Sequence, residues 1–280
     1  MSTFLALLSA LLYGAADYGG GKASRVLPSA IVTLVAQAVS LVLVVVAVLV
    51  LGDPVPSIAS LLWGGVGGLG ASIALTSLYY AFAHGPAAVV APVSAVAAAT
   101  LPVVVGLLAG ERPNPLAVGG IVLAVIAVGV ISAGEAPTGQ PVSRVILLVA
   151  LGAGLAGGVM FVGLHQADHD SGLWPLLSAR IVSVVVLTGF CFAVRVRPGS
   201  GRRLLWLAAA IGTLDVAANA LYLDAVRSGM LSVVAVISSL YPASTVALAF
   251  ALDRERPTRR HLAGFVVAAA ALVVIAWGRR

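Results

Sequence analysis

The amino-acid sequence predicts an all-α integral membrane protein, with ten transmembrane helices arranged as two inverted five-helix repeats. Three observations carry this prediction. The chain is too apolar and too poor in charge to present a surface to water. It divides into ten runs of membrane-spanning length. It also repeats itself at an offset of about 143–144 residues.

Apolar side chains make up 61% of the 280 residues and charged ones 9%, with 31 glycines besides. Soluble domains carry about 25% charged residues, and a fold of this length could not cover itself with so few. Lipid is the solvent that suits such a chain. The net charge of +6 does not point to nucleic acid. Its Lys and Arg residues lie mostly in the short gaps between apolar runs, where membrane topology requires them. Cys191 is the only cysteine, so neither an intrachain disulfide nor a cysteine-based metal site can form.

A helix needs roughly 20 residues to cross about 30 Å of hydrocarbon. The runs fall at about 3–20, 29–51, 58–83, 87–109, 115–133, 144–165, 173–194, 204–226, 230–252 and 260–277. No Lys or Arg precedes the first run, which therefore reads as a retained span rather than a signal peptide. Charges, Gly and Pro punctuate the gaps, as in Gly52-Asp53-Pro54, His84-Gly85-Pro86 and Arg227-Ser228-Gly229. Glycines crowd runs three and six (Gly64, Gly68 and Gly70; Gly154 and Gly158). Lipid gives apolar helices no hydrophobic reason to associate, so close backbone contact at small residues must help. Pro92 and Pro102 in run four, and Pro242 in run nine, are expected to bend their helices.

The repeat aligns Glu111-Arg112-Pro113 with Glu255-Arg256-Pro257, Leu78-Tyr79 with Leu221-Tyr222, and Gly14 with Gly157. Gln37 falls opposite Arg180. Each copy holds five spans, an odd number, so the second copy must enter the membrane upside down. Such repeats place a substrate site at their interface near the midplane. The expected units are residues 1–134 and 144–280, joined by a linker at 135–143, with no soluble domain.

On these residues the chain resembles the EamA-like branch of the drug/metabolite transporter superfamily over nearly its whole length. The resemblance rests on the five-plus-five spans, on Leu12-Tyr13-Gly14, and on Tyr79-Tyr80-Ala81, where Asp224 stands for the second Tyr in the other copy. It rests most on the Glu and Arg-Pro element followed by Gly120 or Gly264. Arg180 matches an arginine that the family often carries in its second or seventh helix, whereas the first copy has Gln37. The resemblance implies a secondary transporter, commonly an exporter of metabolites, amino acids or drugs, with both termini inside.

Charges within the spans are costly, roughly 2.5–3.5 kcal/mol each on insertion scales. Asp17, Arg180, Asp215 and Asp224 are the cases here. Asp215, Asn219 and Tyr222 stand at i, i+4 and i+7, on one helical stripe. The offset of 143 places Ser72, Thr76 and Tyr79 on the matching stripe of run three. These stripes suit either the walls of one cavity or interhelical hydrogen bonds. Arg180 stays charged at any physiological pH, so it pairs with Asp215 or Asp17, or meets an anionic solute. Asp17 and Asp215 are also candidates for a coupling proton, which a neighbouring Arg180 would oppose. Tyr241, beside Pro242, completes the candidate cavity residues. Glu111, Arg112, Glu255 and Arg256 are gate or loop-anchor candidates, each pair expected to neutralise itself at a helix C-terminus.

His165 and His169 stand four apart in a loop whose Gly172 and Pro175 disfavour a continuing helix, and no metal site or cofactor is expected. No phosphate loop or nucleophile elbow is present. The sequence thus points to a transporter of a small organic solute in the lipid bilayer, without nucleic acid or cofactor and with a coupling proton as a candidate partner. A membrane-embedded enzyme on lipid-linked substrates, or a non-transporting subunit, stays open. The expected location is the cell (plasma or inner) membrane, in multi-pass form. Four Lys or Arg residues flank the side of the termini and eleven the other; the charge rule therefore places the termini outside, against the family resemblance.

Overall fold

In hydrocarbon every backbone N–H and C=O must find a partner within its own segment, which favours helices. The computed structural model describes residues 1–132, 143–196, 202–253 and 259–277, and no strand occurs among them. The helices are α1 (Ser2–Ser24), α2 (Ser29–Leu51), α3 (Ile58–His84), α4 (Ala87–Leu108), α5 (Pro115–Ser132) and α6 (Arg144–His165). They continue with α7 (Trp174–Ala193), α8 (Arg202–Arg227), α9 (Leu231–Ser238), α10 (Tyr241–Asp253) and α11 (Arg259–Trp277). The expected linker at 135–143 lies almost wholly outside the described residues.

Seven segments are long and apolar enough to cross a membrane: α2, α3, α4, α6, α7, α8 and the stretch Leu231–Leu252 through α9 and α10. The chain is a multi-pass membrane protein. The other three expected spans are also helical. In α1, serines, glycines, Asp17 and Lys22 dilute the apolar character. α5 and α11 offer the shorter apolar stretches Pro115–Ala127 and Leu262–Ala271. Side chains such as Val42, Val46, Leu49 and Leu148 point outward and exposed, as lipid-facing positions do.

The ninth run is broken into two helices. Pro242 has no N–H for the carbonyl of Ser238, and its ring crowds that oxygen. The chain tightens there: Leu240 donates to Ile237 at 3.0 Å and Ala243 to Leu240 at 3.0 Å. Pro92 and Pro102, by contrast, leave α4 a single helix.

Small residues set the packing. A Cβ at Gly68 would strike the Ala179 carbonyl of α7, and one at Gly154 the Ser94 carbonyl of α4. Gly64 meets Pro175 as Gly68 meets Ala179, so α3 and α7 run in the same direction. α1 runs against α8, since Gly19 faces Ile211 while the Ser9 hydroxyl donates to the Ala218 carbonyl at 2.8 Å. α6 runs against α3 in the same manner, Gly70 meeting Ala156 and Gly163 meeting Trp63. Two further contacts match at the sequence offset of 143–144 residues. Ser40 donates to the Gly212 carbonyl and Ser183 to the Gly68 carbonyl, each at 2.7 Å. Buried side chains of α1, α3, α4, α5, α6, α8, α9, α10 and α11 fill the main core.

Candidate functional site

Arg180 lies on α7 with 1% of its surface exposed. Neighbouring helices answer its charge. Its Nη2 is 2.9 Å from Oδ2 of Asp215 on α8, and its Nη1 donates to Oε1 of Gln37 on α2 at 2.7 Å. Asn219, one turn after Asp215, donates from Nδ2 to that carboxylate at 3.2 Å and to the Asp215 carbonyl at 2.8 Å. The i, i+4 spacing read from the sequence thus lets Asn219 hold the carboxylate that meets the arginine. A buried guanidinium with one carboxylate and one amide is held in a defined place, because leaving the carboxylate out would strand its charge.

Aromatic rings surround this pair. Tyr222 stacks on Phe161 of α6 with centroids 4.4 Å apart, and its hydroxyl donates to the Phe161 carbonyl at 3.1 Å. Tyr13 lies on the other side, 6.1 Å from the Phe161 ring. Tyr79 is fully buried, and its ring covers Gly20 of α1, where any Cβ would collide with it. Tyr13 and Tyr79 both lie within electrostatic reach of Asp215 and Arg180. The hydroxyls of Tyr241 and Ser94 are 2.7 Å apart. Asp17, 4% exposed, faces Tyr79 and Tyr241 electrostatically and not Arg180.

Several buried polar atoms here have no hydrogen-bond partner: Arg180 Nε, Gln37 Nε2, the hydroxyls of Tyr13, Tyr79 and Thr76, and Asn219 Oδ1. Buried polar groups in proteins are nearly always satisfied. A concentration of unmatched polar atoms in one place is what a site waiting for water or a polar solute would contain. Of the cavity residues expected from the sequence, Arg180, Asp215, Asn219 and Gln37 meet directly. Tyr222, Tyr79, Asp17 and Tyr241 lie around them, and Thr76 is half-buried on the same helix as Tyr79. Phe161 and Ser94 were not legible. A phenylalanine and a serine in apolar runs carry no periodic signal of their own.

Glu111, one of the gate or loop-anchor candidates, meets a partner other than its chain neighbour. Glu111 does not pair with Arg112, which is exposed. Its two carboxylate oxygens instead accept from the amides of Leu231, at 2.5 Å, and Ser232, at 3.0 Å. These are the first residues of α9, where free N–H groups and the positive end of the helix dipole attract an anion. The fold brings that N-terminus to Glu111, and the chain neighbour Arg112 cannot offer two aligned donors. Glu255 and Arg256 lie outside the described residues.

A second polar cluster ties the loops together on the same side of the molecule. Asp168 accepts from the hydroxyls of Ser57 and Ser60, the latter at 2.7 Å. Those bonds hold its carboxyl below the usual range. Asp53 accepts from the Leu173 amide at 2.8 Å. Arg227 donates to the Ser171 hydroxyl and the Gly172 carbonyl, both at 2.8 Å. Among the described residues no group of three His, Cys, Asp or Glu could hold a metal, and His165 and His169 form none.

Comparisons with known proteins fit this geometry. No curated protein matches the sequence. A solved protein crystal structure superposes with a TM-score of 0.77, covering 100% of this chain and 98% of its own. Its 17% identity extends the likeness to the fold alone. Residues 144–277 match the model of the EamA-like transporter family, which is part of the drug/metabolite transporter superfamily.

Proposed function

We propose that this protein is a secondary active transporter that moves a small organic solute by alternating access, export being the favoured direction, across the plasma or inner membrane. The family match supports the transporter class. One observation carries the site. Gln37 and Arg180, equivalent by the repeat, touch each other, and Arg180 also pairs with Asp215, among a group of unmatched polar atoms. Two equivalent residues can meet only where the halves face each other, so the contact marks their interface.

The reading takes residues 1–134 and 144–280 as inverted halves, five spans each. The matched Ser40–Gly212 and Ser183–Gly68 bonds support it, as does the shared direction of α3 and α7. α2 and α3 follow one another through a short loop and so run oppositely, which makes α2 opposite to its counterpart α7. Arg180 offers its free Nε edge to an acceptor on the solute, with Gln37, Tyr79, Thr76 and Tyr13 adding donors. Tyr222, Asn219 and Tyr241 shape the wall. Glu111 at the start of α9 serves as one gate contact. A coupling proton would sit on Asp17 or Asp215. No catalytic step is assigned to any residue.

Reconstituted protein tested with a panel of metabolites, amino acids and cationic dyes should move at least one solute against a gradient. Arg180→Gln, which installs the residue its counterpart already uses, should abolish that movement while the protein still folds. Unchanged transport in Arg180→Gln would remove the site assignment.

A further inference from the structure

Asp17 and Asp215 are both buried, yet their surroundings differ. Asp215 has the guanidinium of Arg180 and the amide of Asn219. Asp17 has neither, since both of these groups are turned to Asp215. Its place is set by two close approaches. Gly14, three residues earlier, lies against the Tyr241 backbone of α10, and Gly20, three residues later, lies under the Tyr79 ring. Positions three apart are neighbours on a helix surface, so Asp17 stands between these two tyrosines.

The ionisable groups that bear on Asp17 from helices packed on α1 are few. They are Asp215 of α8, Tyr79 of α3 and Tyr241 of α10. α2 and α9 contain no ionisable side chain. None of these neighbours is a cation, and one is a second carboxyl. Nη1 and Nη2 of Arg180 are directed at Gln37 and Asp215. A buried carboxylate so placed is costly to keep charged; it must hold a proton or meet a mobile cation. A metal ion would need several oxygen ligands, and no acidic or histidine group of three exists among the described residues. A proton needs only one.

We infer that Asp17 is the residue that carries the exchanged proton, and that Asp215 is the standing counter-ion of Arg180. The assignment rests on the transport reading above. In the cycle the Asp17 carboxylate takes a proton from water on the side to which the site is open. The same carboxyl returns that proton to water on the other side when access alternates. Asp215 keeps its ion pair throughout, so the two carboxyls divide the work of coupling and solute binding.

Infrared titration of the purified protein in nanodiscs tests this without knowledge of the solute. The wild type should show the carbonyl stretch of a protonated, buried carboxyl that disappears on raising pH. Asp17→Asn should lack that band and keep the wild-type Tm, being isosteric with the protonated acid. Asp215→Asn should retain the band, and Asp17→Glu should restore it at a shifted frequency. A band that survives in Asp17→Asn, or is lost only in Asp215→Asn, overturns the assignment. If Asp17→Asn does not fold, the band in wild type and its shift in Asp17→Glu decide the matter; an unshifted band there overturns it equally. Should the titration follow Asp17 while no solute in the panel moves, the transport reading fails and the proton site stands.

Discussion

The buried cluster around Arg180 and the loop cluster around Asp168 use the same materials: carboxylates, hydroxyls and one arginine each. They differ in how many buried groups stay unmatched, Arg227 Nε and the Ser232 hydroxyl being those near the loops. In the loops, Asp53, Asp168 and Glu111 each accept from amides or hydroxyls supplied by a distant segment. In the buried cluster, Arg180, Gln37, Tyr13, Tyr79, Thr76 and Asn219 all retain an unused polar atom. The loop cluster faces water, where an unused group is cheap, and still satisfies its carboxylates. The buried one lies in low dielectric, where an unused group is expensive. That contrast separates a fastening from a site.

The largest expected effect lies in the buried cluster. Asp215→Ala leaves Arg180 without its counter-charge, and breaking a buried pair in this way costs about 3–5 kcal/mol. Thermal unfolding in detergent should show a correspondingly large fall in Tm. A shift no greater than that of a loop variant would mean that Arg180 is solvated and the comparison wrong. Next comes the helix packing that holds the cluster in place. Gly68→Leu forces a side chain into the Ala179 carbonyl of α7, and overpacking of this kind costs about 1–3 kcal/mol. Folded yield by size-exclusion chromatography should fall, whereas Gly152→Leu, with open space around it, should fold normally.

Smaller effects belong to the loops. Glu111→Gln weakens the cap of α9, with a loss of about 1 kcal/mol expected for a helix-terminal group. Hydrogen exchange should speed up at the Leu231 and Ser232 amides, and normal exchange would dissolve the assigned contact. The smallest effect is at Asp168. Its carboxyl is held below the usual range by the serine hydroxyls. Its stabilising contribution is therefore complete above the unfolded-state value and disappears as pH falls through the folded one. Asp168→Asn should flatten that acid limb of Tm against pH and change little near neutrality.

Much of the site could be read from the sequence, and the reason is periodicity. Asp215, Asn219 and Tyr222 lie on one stripe because helical geometry puts them there, whatever the helix packs against. The offset of 143 also paired Gln37 with Arg180 before any contact was known. Glu111 was harder. Its neighbour Arg112 supplied an obvious partner, and nothing local announced that the start of α9 would arrive beside it. Phe161 was invisible because an aromatic ring in an apolar run has no distinguishing neighbour. The break at Ser239 and Leu240 was foreshadowed by Pro242, although Pro92 and Pro102 carry the same local signal and leave α4 whole.

What the sequence alone determined is that this chain lives in lipid as helices. The reason is that hydrocarbon leaves the backbone no other way to satisfy its polar groups over such long apolar runs. Which of the two intramembrane carboxyls would hold the arginine could not be decided in that way. Asp17 and Asp215 are chemically alike, and a one-dimensional pattern does not record distance between helices. Only the tertiary packing, with glycine contacts drawing α7 to α3 and α8 to α2, put Asp215 at 2.9 Å from Arg180 and left Asp17 between two tyrosines.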